Sequence, residues 1–258
     1  MKCVPDPVSP EGHFASVNGM QMYYELYGEG APLVLLHPFT GCTQFWQPFV
    51  DDFAPHYRLI VVDLRGHGRS TNPTNQFTHR QSALDIYALL DQLEIDAFRA
   101  VGASSGGMTL LHMATQQPSR VEAMVLVGTA SYWPEQTRVA QRQSRDWDWD
   151  WAQLRQRHVH GDDQIRALQD QFYNFKDSYD DMNFTAPYLS TITARTLIVH
   201  GDRDEFFPVS IPVEMYLAIP QAYLWVVPNG DHIPIFEQHA EGFTRAASAF
   251  LRGEWAPA

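Results

Sequence analysis

Cysteine is scarce in this chain of 258 residues: there are two, Cys3 and Cys42. Two thiols do not make a disulfide framework, and they suit a reducing compartment. Long hydrophobic runs are missing as well. No apolar stretch approaches the ~20 residues that a bilayer-spanning helix needs. The segment Met1 to Glu11 holds three prolines and no apolar core, unlike a secretory signal. Positive charge is in short supply. The formal net charge of −12 speaks against nucleic acid or an anionic membrane as the main partner. No phosphate loop of the G-x-x-x-x-G-K-[ST] type occurs, and Gly66-His67-Gly68 lacks the third glycine of a dinucleotide fingerprint. The expectation is a cytoplasmic protein without a cofactor, a monomer or homodimer that meets a small molecule and neither nucleic acid nor membrane. What is present is ordinary for a globular chain: 45% hydrophobic and 19% charged residues. The length allows one large domain with a substantial core.

Strand-like and helix-like segments alternate along the chain. Phe14 to Val17 and Met20 to Leu26 flank Asn18-Gly19 and predict a hairpin. Short branched-apolar runs at Leu33 to Leu36, Leu59 to Val62, Ala97 to Val101, Met124 to Val127, Thr196 to Val199 and Leu224 to Val227 predict buried strands. Helices are expected over Thr43 to Phe53, Thr78 to Leu93, Met108 to Gln117 and Phe236 to Leu251. Buried strands separated by helices indicate a parallel sheet covered on both faces. The alternation breaks between about Ser131 and Ser190, and a loop of that length without structure of its own is improbable. A helical cap over 131–190 is therefore expected, inserted between core segments 1–130 and 191–258. Within it, Asp146-Trp147-Asp148-Trp149-Asp150-Trp151 reads as helix, with Trp147, Trp151 and Leu154 forming one stripe.

The run Val101-Gly102-Ala103-Ser104-Ser105-Gly106-Gly107 carries the strongest chemical signal. Small residues two positions to either side of a serine fit a sharp strand-to-helix turn that lifts the hydroxyl above the sheet. The register Gly102-x-Ser104-x-Gly106 has glycine at both ends and selects Ser104; the alternative, centred on Ser105, has alanine at one end. A serine nucleophile needs a base, and the base needs an acid to orient it. His232 follows the strand Leu224 to Val227 through Pro228-Asn229-Gly230-Asp231, and loops at the carboxyl ends of parallel strands converge on one crevice. Asp202 and Asp204 compete for the acid in His200-Gly201-Asp202-Arg203-Asp204. The Gly-x-x-Asp spacing selects Asp204, with Asp202 bracing the turn. The strand Met124 to Val127 ends in Gly128-Thr129-Ala130 and offers no carboxylate. An oxyanion hole is also required. Its donors are expected from the backbone N–H of Ser105 and that of Phe39, since Pro38 has none.

On Leu36-His37-Pro38-Phe39, the Asp63 to Ser70 stretch (D-x-R-G-x-G-x-S), Gly102 to Gly106, Gly201 to Asp204 and Asp231-His232, the chain resembles the α/β-hydrolase superfamily over nearly its whole length. The resemblance implies an α/β-hydrolase fold, a mostly parallel eight-stranded sheet with helices on both faces and an inserted helical cap. It also implies Ser104, Asp204 and His232 as triad, with Phe39 and Ser105 as oxyanion donors. Within the superfamily the chain looks most similar to small bacterial carboxylesterases and ring-cleavage-product hydrolases. Two departures stand out. Pro38 replaces a usual glycine and restricts His37 to extended geometry. Asp231 precedes His232 where glycine is usual, and is expected to favour the imidazolium by its charge.

The expected activity is hydrolysis of a small-molecule carboxylic ester through an acyl-enzyme. The same residues would also serve carbon–carbon bond hydrolysis of a dienone, a lactonase or a perhydrolase. A ligand receptor on this fold is the non-enzymatic alternative. Trp133, Trp149, Phe172 and Phe206 are candidate pocket residues, with Tyr173 and Phe175 beside them. Three features are set aside. His158-Val159-His160-Gly161-Asp162-Asp163 approaches a dinuclear zinc motif but ends in Asp163, so a solvated turn and no metal are expected. Asp85, Asp91, Glu94 and Asp96 read as a solvated helix face, and His112 as a packed core residue.

Overall fold

Buried strands and amphipathic helices assemble around one eight-stranded sheet in the computed structural model, which describes residues 11–255. Residues 1–10, with Cys3 and most of the segment that is unlike a secretory signal, lie outside the described residues. The strands are β1 (Glu11–Val17), β2 (Met20–Tyr27), β3 (Ala31–Leu36), β4 (Tyr57–Val62), β5 (Phe98–Ala103), β6 (Val121–Val127), β7 (Arg195–Gly201) and β8 (Ala222–Val227). Their order is β1-β2-β4-β3-β5-β6-β7-β8. The β1–β2 and β2–β4 pairs are antiparallel and the remaining pairs parallel. Asn18 and Gly19 take φ of 41° and 77°, as a two-residue hairpin turn demands.

The helices are α1 (Gln47–Phe53), α2 (His79–Gln92), α3 (Ser105–Gln116), α4 (Glu135–Gln143), α5 (Trp151–Arg157), α6 (Asp162–Asn174), α7 (Ala186–Leu189), α8 (Ser210–Ala218) and α9 (Ala240–Leu251). Side chains alternate across each strand, so every central strand feeds two cores. Val34, Leu36, Ile60 and Val62 pack with Ile86 and Leu90 of α2 on one face. Leu33, Leu35, Leu59 and Val61 pack with Phe49 of α1 and Phe243 of α9 on the other. Double coverage explains why these strands read as continuous apolar runs. No helix among the described residues is long and apolar enough to cross a membrane.

Local chemistry corrects several expectations. The helix over Thr43 to Phe53 divides into a 3-10 turn, Thr43–Trp46, and α1, because Pro48 has no N–H and starts an α-helix rather than continuing one. The helix expected from Trp147 starts at Trp151, since the Asp150 side chain accepts the Gln153 N–H at 2.9 Å and caps it. The Trp147–Trp151–Leu154 stripe therefore does not form. Asp85 is not solvated: it is fully buried, and Arg65 donates to it through Nε at 2.7 Å and Nη2 at 2.8 Å. Asp91, Glu94 and Asp96 are exposed. His158 is buried rather than in a solvated turn; its Nδ1 accepts the Gly68 N–H at 3.0 Å and its Nε2 donates to the Thr40 carbonyl at 3.2 Å.

Between β6 and β7 the chain is helical, running through α4 to α7. The two ends of this segment meet in an isolated bridge between Tyr132 and Asn183, and the Phe184 N–H donates to the Ser131 carbonyl at 2.9 Å.

Candidate active site

Loops leaving the carboxyl ends of β3, β5, β7 and β8 meet at one edge of the sheet. Ser104 sits between β5 and α3 at φ 49° and ψ −114°, a strained conformation for a residue with a side chain. Its N–H donates to the Val127 carbonyl at 2.8 Å, and its carbonyl accepts from Met108 at 2.9 Å. A Cβ on Gly102 would lie 2.6 Å from the Gly106 carbonyl carbon, and one on Gly106 would lie 2.2 Å from the Leu36 oxygen. Only glycine at both ends permits this turn, and it centres on Ser104. Ser105 opens α3 and is buried.

His232 reaches Ser104 from the loop after β8. Its Nε2 lies 3.0 Å from Ser104 Oγ and its Nδ1 2.9 Å from Asp204 Oδ2. The other Asp204 oxygen accepts the N–H groups of Phe206 at 2.8 Å and Phe207 at 3.0 Å. Burial would raise the Asp204 carboxyl. The His232 hydrogen bond and the two backbone donors outweigh it, and hold the group below its ordinary value. An ionised Asp204 only accepts, so His232 donates Nδ1–H to it and leaves Nε2 to accept the Ser104 hydroxyl. Gly128, at φ 52°, makes room for this loop, because a Cβ there would stand 2.1 Å from the His232 carbonyl oxygen.

The neighbouring acids are engaged differently. Asp202 does not brace its turn: Oδ1 is buried without a hydrogen-bond partner among the described residues, and Arg203 Nε is 3.8 Å away. Asp231 Oδ1 accepts the Ile233 N–H at 3.1 Å and so fastens the turn that carries His232. His200 was not singled out from the sequence. It is buried, donates from Nε2 to the Phe207 carbonyl at 3.0 Å and stands 3.6 Å from Asp204 Oδ2.

Opposite Ser104, the loop after β3 is fixed by His37. Its Nε2 accepts the Leu64 N–H at 3.0 Å and its Nδ1 donates to the Pro38 carbonyl at 2.8 Å. Burial pushes the His37 imidazole down to about 3, in keeping with this neutral tautomer. The Pro38 carbonyl also accepts the Gly41 N–H at 2.9 Å, which tightens the turn around Phe39. The backbone N–H groups of Phe39 and Ser105 donate to no group among the described residues, and both residues border the same cavity.

That cavity measures about 490 Å³ and contains Ser104 and His232 in its wall. Trp133, Trp149, Phe172 and Phe206 all line it, as do Phe175, Phe207 and Trp147. Trp133 stacks on Phe175 with ring centroids 5.4 Å apart. Tyr173 is not in the wall; the Arg145 guanidinium lies 4.3 Å from its ring centroid instead. Sequence reasoning missed Arg157, the one guanidinium in the wall, which has no ion-pair or hydrogen-bond partner among the described residues. A lone arginine at the end of a helix carries no pattern by which to find it. His79 and Asp181 were missed too; they join Ser105 in a second buried chain.

Known proteins share this architecture. Residues 31–163, just over half the chain, match the family model described as the alpha/beta hydrolase fold. The serine hydrolase BPHL of Mus musculus is 26% identical, over 97% of this chain and 92% of its own length. The 2-hydroxy-6-oxo-6-(2'-aminophenyl)hexa-2,4-dienoic acid hydrolase of Metapseudomonas resinovorans is 22% identical, over 92% of this chain and 90% of its own. The enol-lactonase of Burkholderia xenovorans LB400 superposes with a TM-score of 0.78 at 25% identity, covering 93% of this chain and all of that one. With its sheet order, strained strand-to-helix turn at Ser104 and matched family model, the chain belongs to the α/β-hydrolase-fold family.

Proposed function

We propose that this protein is a serine hydrolase that cleaves carboxylic esters of small molecules through an acyl-enzyme intermediate. The observation that carries the reading is the continuous chain Ser104 Oγ–His232 Nε2 (3.0 Å) and His232 Nδ1–Asp204 Oδ2 (2.9 Å) at the wall of an aromatic cavity. Ser104 attacks the ester carbonyl while His232 takes its proton. The N–H groups of Phe39 and Ser105 receive the oxyanion; losing one such donor typically costs ~3 kcal/mol of barrier. His232 then protonates the departing alcohol, water attacks the acyl-enzyme with His232 as base, and Asp204 steadies the imidazolium throughout. The insertion 131–190 acts as a cap on the core formed by 1–130 and 191–258. It supplies Trp133, Trp149 and Phe172 to the pocket, while Phe206 comes from the core. Such a wall favours an apolar or aromatic acyl group.

Arg157 favours a second reading on the same residues. A guanidinium in a largely aromatic wall, without an acidic partner among the described residues, suits a substrate that carries a carboxylate. The Metapseudomonas resinovorans relative is named for a dienoic acid, so carbon–carbon bond hydrolysis of a dienone acid is the alternative. The test is a panel of p-nitrophenyl esters from acetate to decanoate, run beside a coloured ring-cleavage dienone acid and fluorophosphonate labelling. Turnover of the esters with label on Ser104 supports the ester reading. Bleaching of the dienone without ester turnover moves the assignment to the alternative. Tight ligand binding with an unlabelled Ser104 makes the protein a receptor and ends both.

A further inference from the structure

A second Ser–His–Asp chain begins one residue after Ser104. Ser105 Oγ lies 3.1 Å from His79 Nε2, and His79 Nδ1 lies 2.7 Å from Asp181 Oδ2. All three residues are buried. They come from three places: Ser105 is the first residue of α3, His79 the first of α2, and Asp181 stands two residues before the Tyr132–Asn183 bridge that closes the helical insertion. Asp181 also accepts the backbone N–H of His79 at 2.8 Å and of Arg80 at 3.0 Å. Burial works against its ionisation. The hydrogen bonds from the His79 ring and from the two backbone donors prevail and hold the carboxyl well below the usual carboxylate range. An ionised Asp181 fixes the proton of His79 on Nδ1, so Nε2 is bare and the Ser105 hydroxyl donates to it. The Asp181 carbonyl in turn accepts from His112 Nε2 at 2.7 Å, further along α3.

We propose that His79 and Asp181, acting through the Ser105 hydroxyl, are positioning residues for the oxyanion-binding N–H of Ser105. The proposal rests on the reading of Ser104 as nucleophile. The N–H of a first helical residue has no partner in the helix ladder, and here it follows a strained turn. An oxyanion donor works only when held to within about 0.5 Å of its productive position. The relay supplies that restraint from the side chain: it ties the start of α3 to the start of α2 and to the neck of the insertion. The substrate-facing wall and the oxyanion site thereby share one support, because the His79 ring packs against Trp133 at 5.8 Å and Phe175 at 5.4 Å.

The test uses the full chain, with kcat and KM on a p-nitrophenyl ester and the inhibition constant of an aryl trifluoromethyl ketone, whose hemiketal oxygen occupies the oxyanion site. Ser105→Ala and His79→Phe are each expected to lower kcat about tenfold, short of the ~10²–10³ lost when a donor is removed outright. KM should stay within about twofold and the ketone should weaken by the same factor as kcat. His79→Gln, whose amide oxygen can accept the Ser105 hydroxyl, should recover most of the loss, and Ser105→Ala/His79→Phe should be no worse than either single change. A His79→Phe enzyme that matches the unaltered chain while His79→Gln is impaired would mean that the ring only packs, and the proposal falls. It falls equally if Ser105→Ala leaves kcat and inhibition untouched. Absence of Ser104-dependent turnover in the unaltered chain would sink the functional reading alone. The relay is then judged by amide hydrogen exchange over residues 105–108: faster exchange in His79→Phe than in His79→Gln supports it, and equal exchange overturns it.

Discussion

At the scale of single residues, the two aspartates of the loop after β7 separate cleanly. Asp204 is buried and holds three donors, whereas Asp202 accepts no hydrogen bond from the described residues. In Asp204→Asn the amide oxygen would keep the Phe206 and Phe207 N–H groups, and the amide NH₂ would face His232. The imidazole would then carry its proton on Nε2 and could not take one from Ser104. The expected outcome is a fall in kcat of about 10⁴-fold with little change in KM. Asp202→Ala should stay within about threefold. Steady-state kinetics on one ester decides it, and the reverse pattern would move the acid to Asp202. Five residues of the candidate site were legible in the amino-acid sequence: Ser104, Asp204, His232, Phe39 and Ser105. Each follows the carboxyl end of an apolar strand within a few positions, and the parallel sheet brings those ends together; the strand before His232, expected to be buried, is a half-buried edge strand with Val227 alone fully covered. His79 and Asp181 were not legible, because a contact between a helix start and the neck of an insertion has no spacing in the chain.

At the scale of elements, the loop after β4 shows how a polar pair can replace apolar packing. Arg65 reaches from that loop to Asp85 on α2, and both side chains are essentially removed from water. Asn18 and Gln81 complete the carboxylate's partners at 3.0 and 2.9 Å. Asp85→Ala would strand a buried guanidinium and should cost about 3–5 kcal/mol in urea unfolding. The joint change Arg65→Met/Asp85→Leu should cost clearly less, since no charge is left unpaired. Equal losses would show that the pair's shape, not its charge, holds the loop to α2. Read as a helix face, Asp85 looked solvated; periodicity reports where a side chain points, not which partner meets it there. The start of α5 has a similar lesson with a visible signal. Asp150 and Gln153 have the spacing of a capping box, which outranks the helix propensity of the preceding tryptophan repeat. Trp147 and Trp149 are left outside the helix, with rings 5.3 Å apart, where they reach the cavity.

At the scale of the whole molecule, the two-faced core and parallel sheet followed from the apolar runs. The strand order did not, because short buried strands of similar composition do not say which neighbour they choose. Nor did the sequence tell which histidines the fold would bury. Burial pushes His37 down to about 3, His112 to about 4 and His158 to about 4. They stand in the loop after β3, in α3 and at the end of α5, so their titration bears on the whole fold. Each is neutral in the folded chain and takes a proton near 6.5 when unfolded. Their contribution is therefore complete above pH 6.5 and is lost as pH falls toward the folded values. By pH 4.5 the three together give up roughly 7 kcal/mol. Asp63 opposes them. Burial lifts its carboxyl to about 7, so its contribution grows as pH falls below that point, returning roughly 2 kcal/mol. Backbone donors from Arg69 and Thr43 hold that rise in check. The net loss from these four groups, about 5 kcal/mol, is comparable to the entire stability of many domains, and His67 and His200, also lowered by burial, act in the same direction. The melting temperature is accordingly expected to drop by about 10–20 °C between pH 6.5 and 4.5. A calorimetric scan showing a flat or rising profile over that interval would mean that these imidazoles take up protons without unfolding the chain.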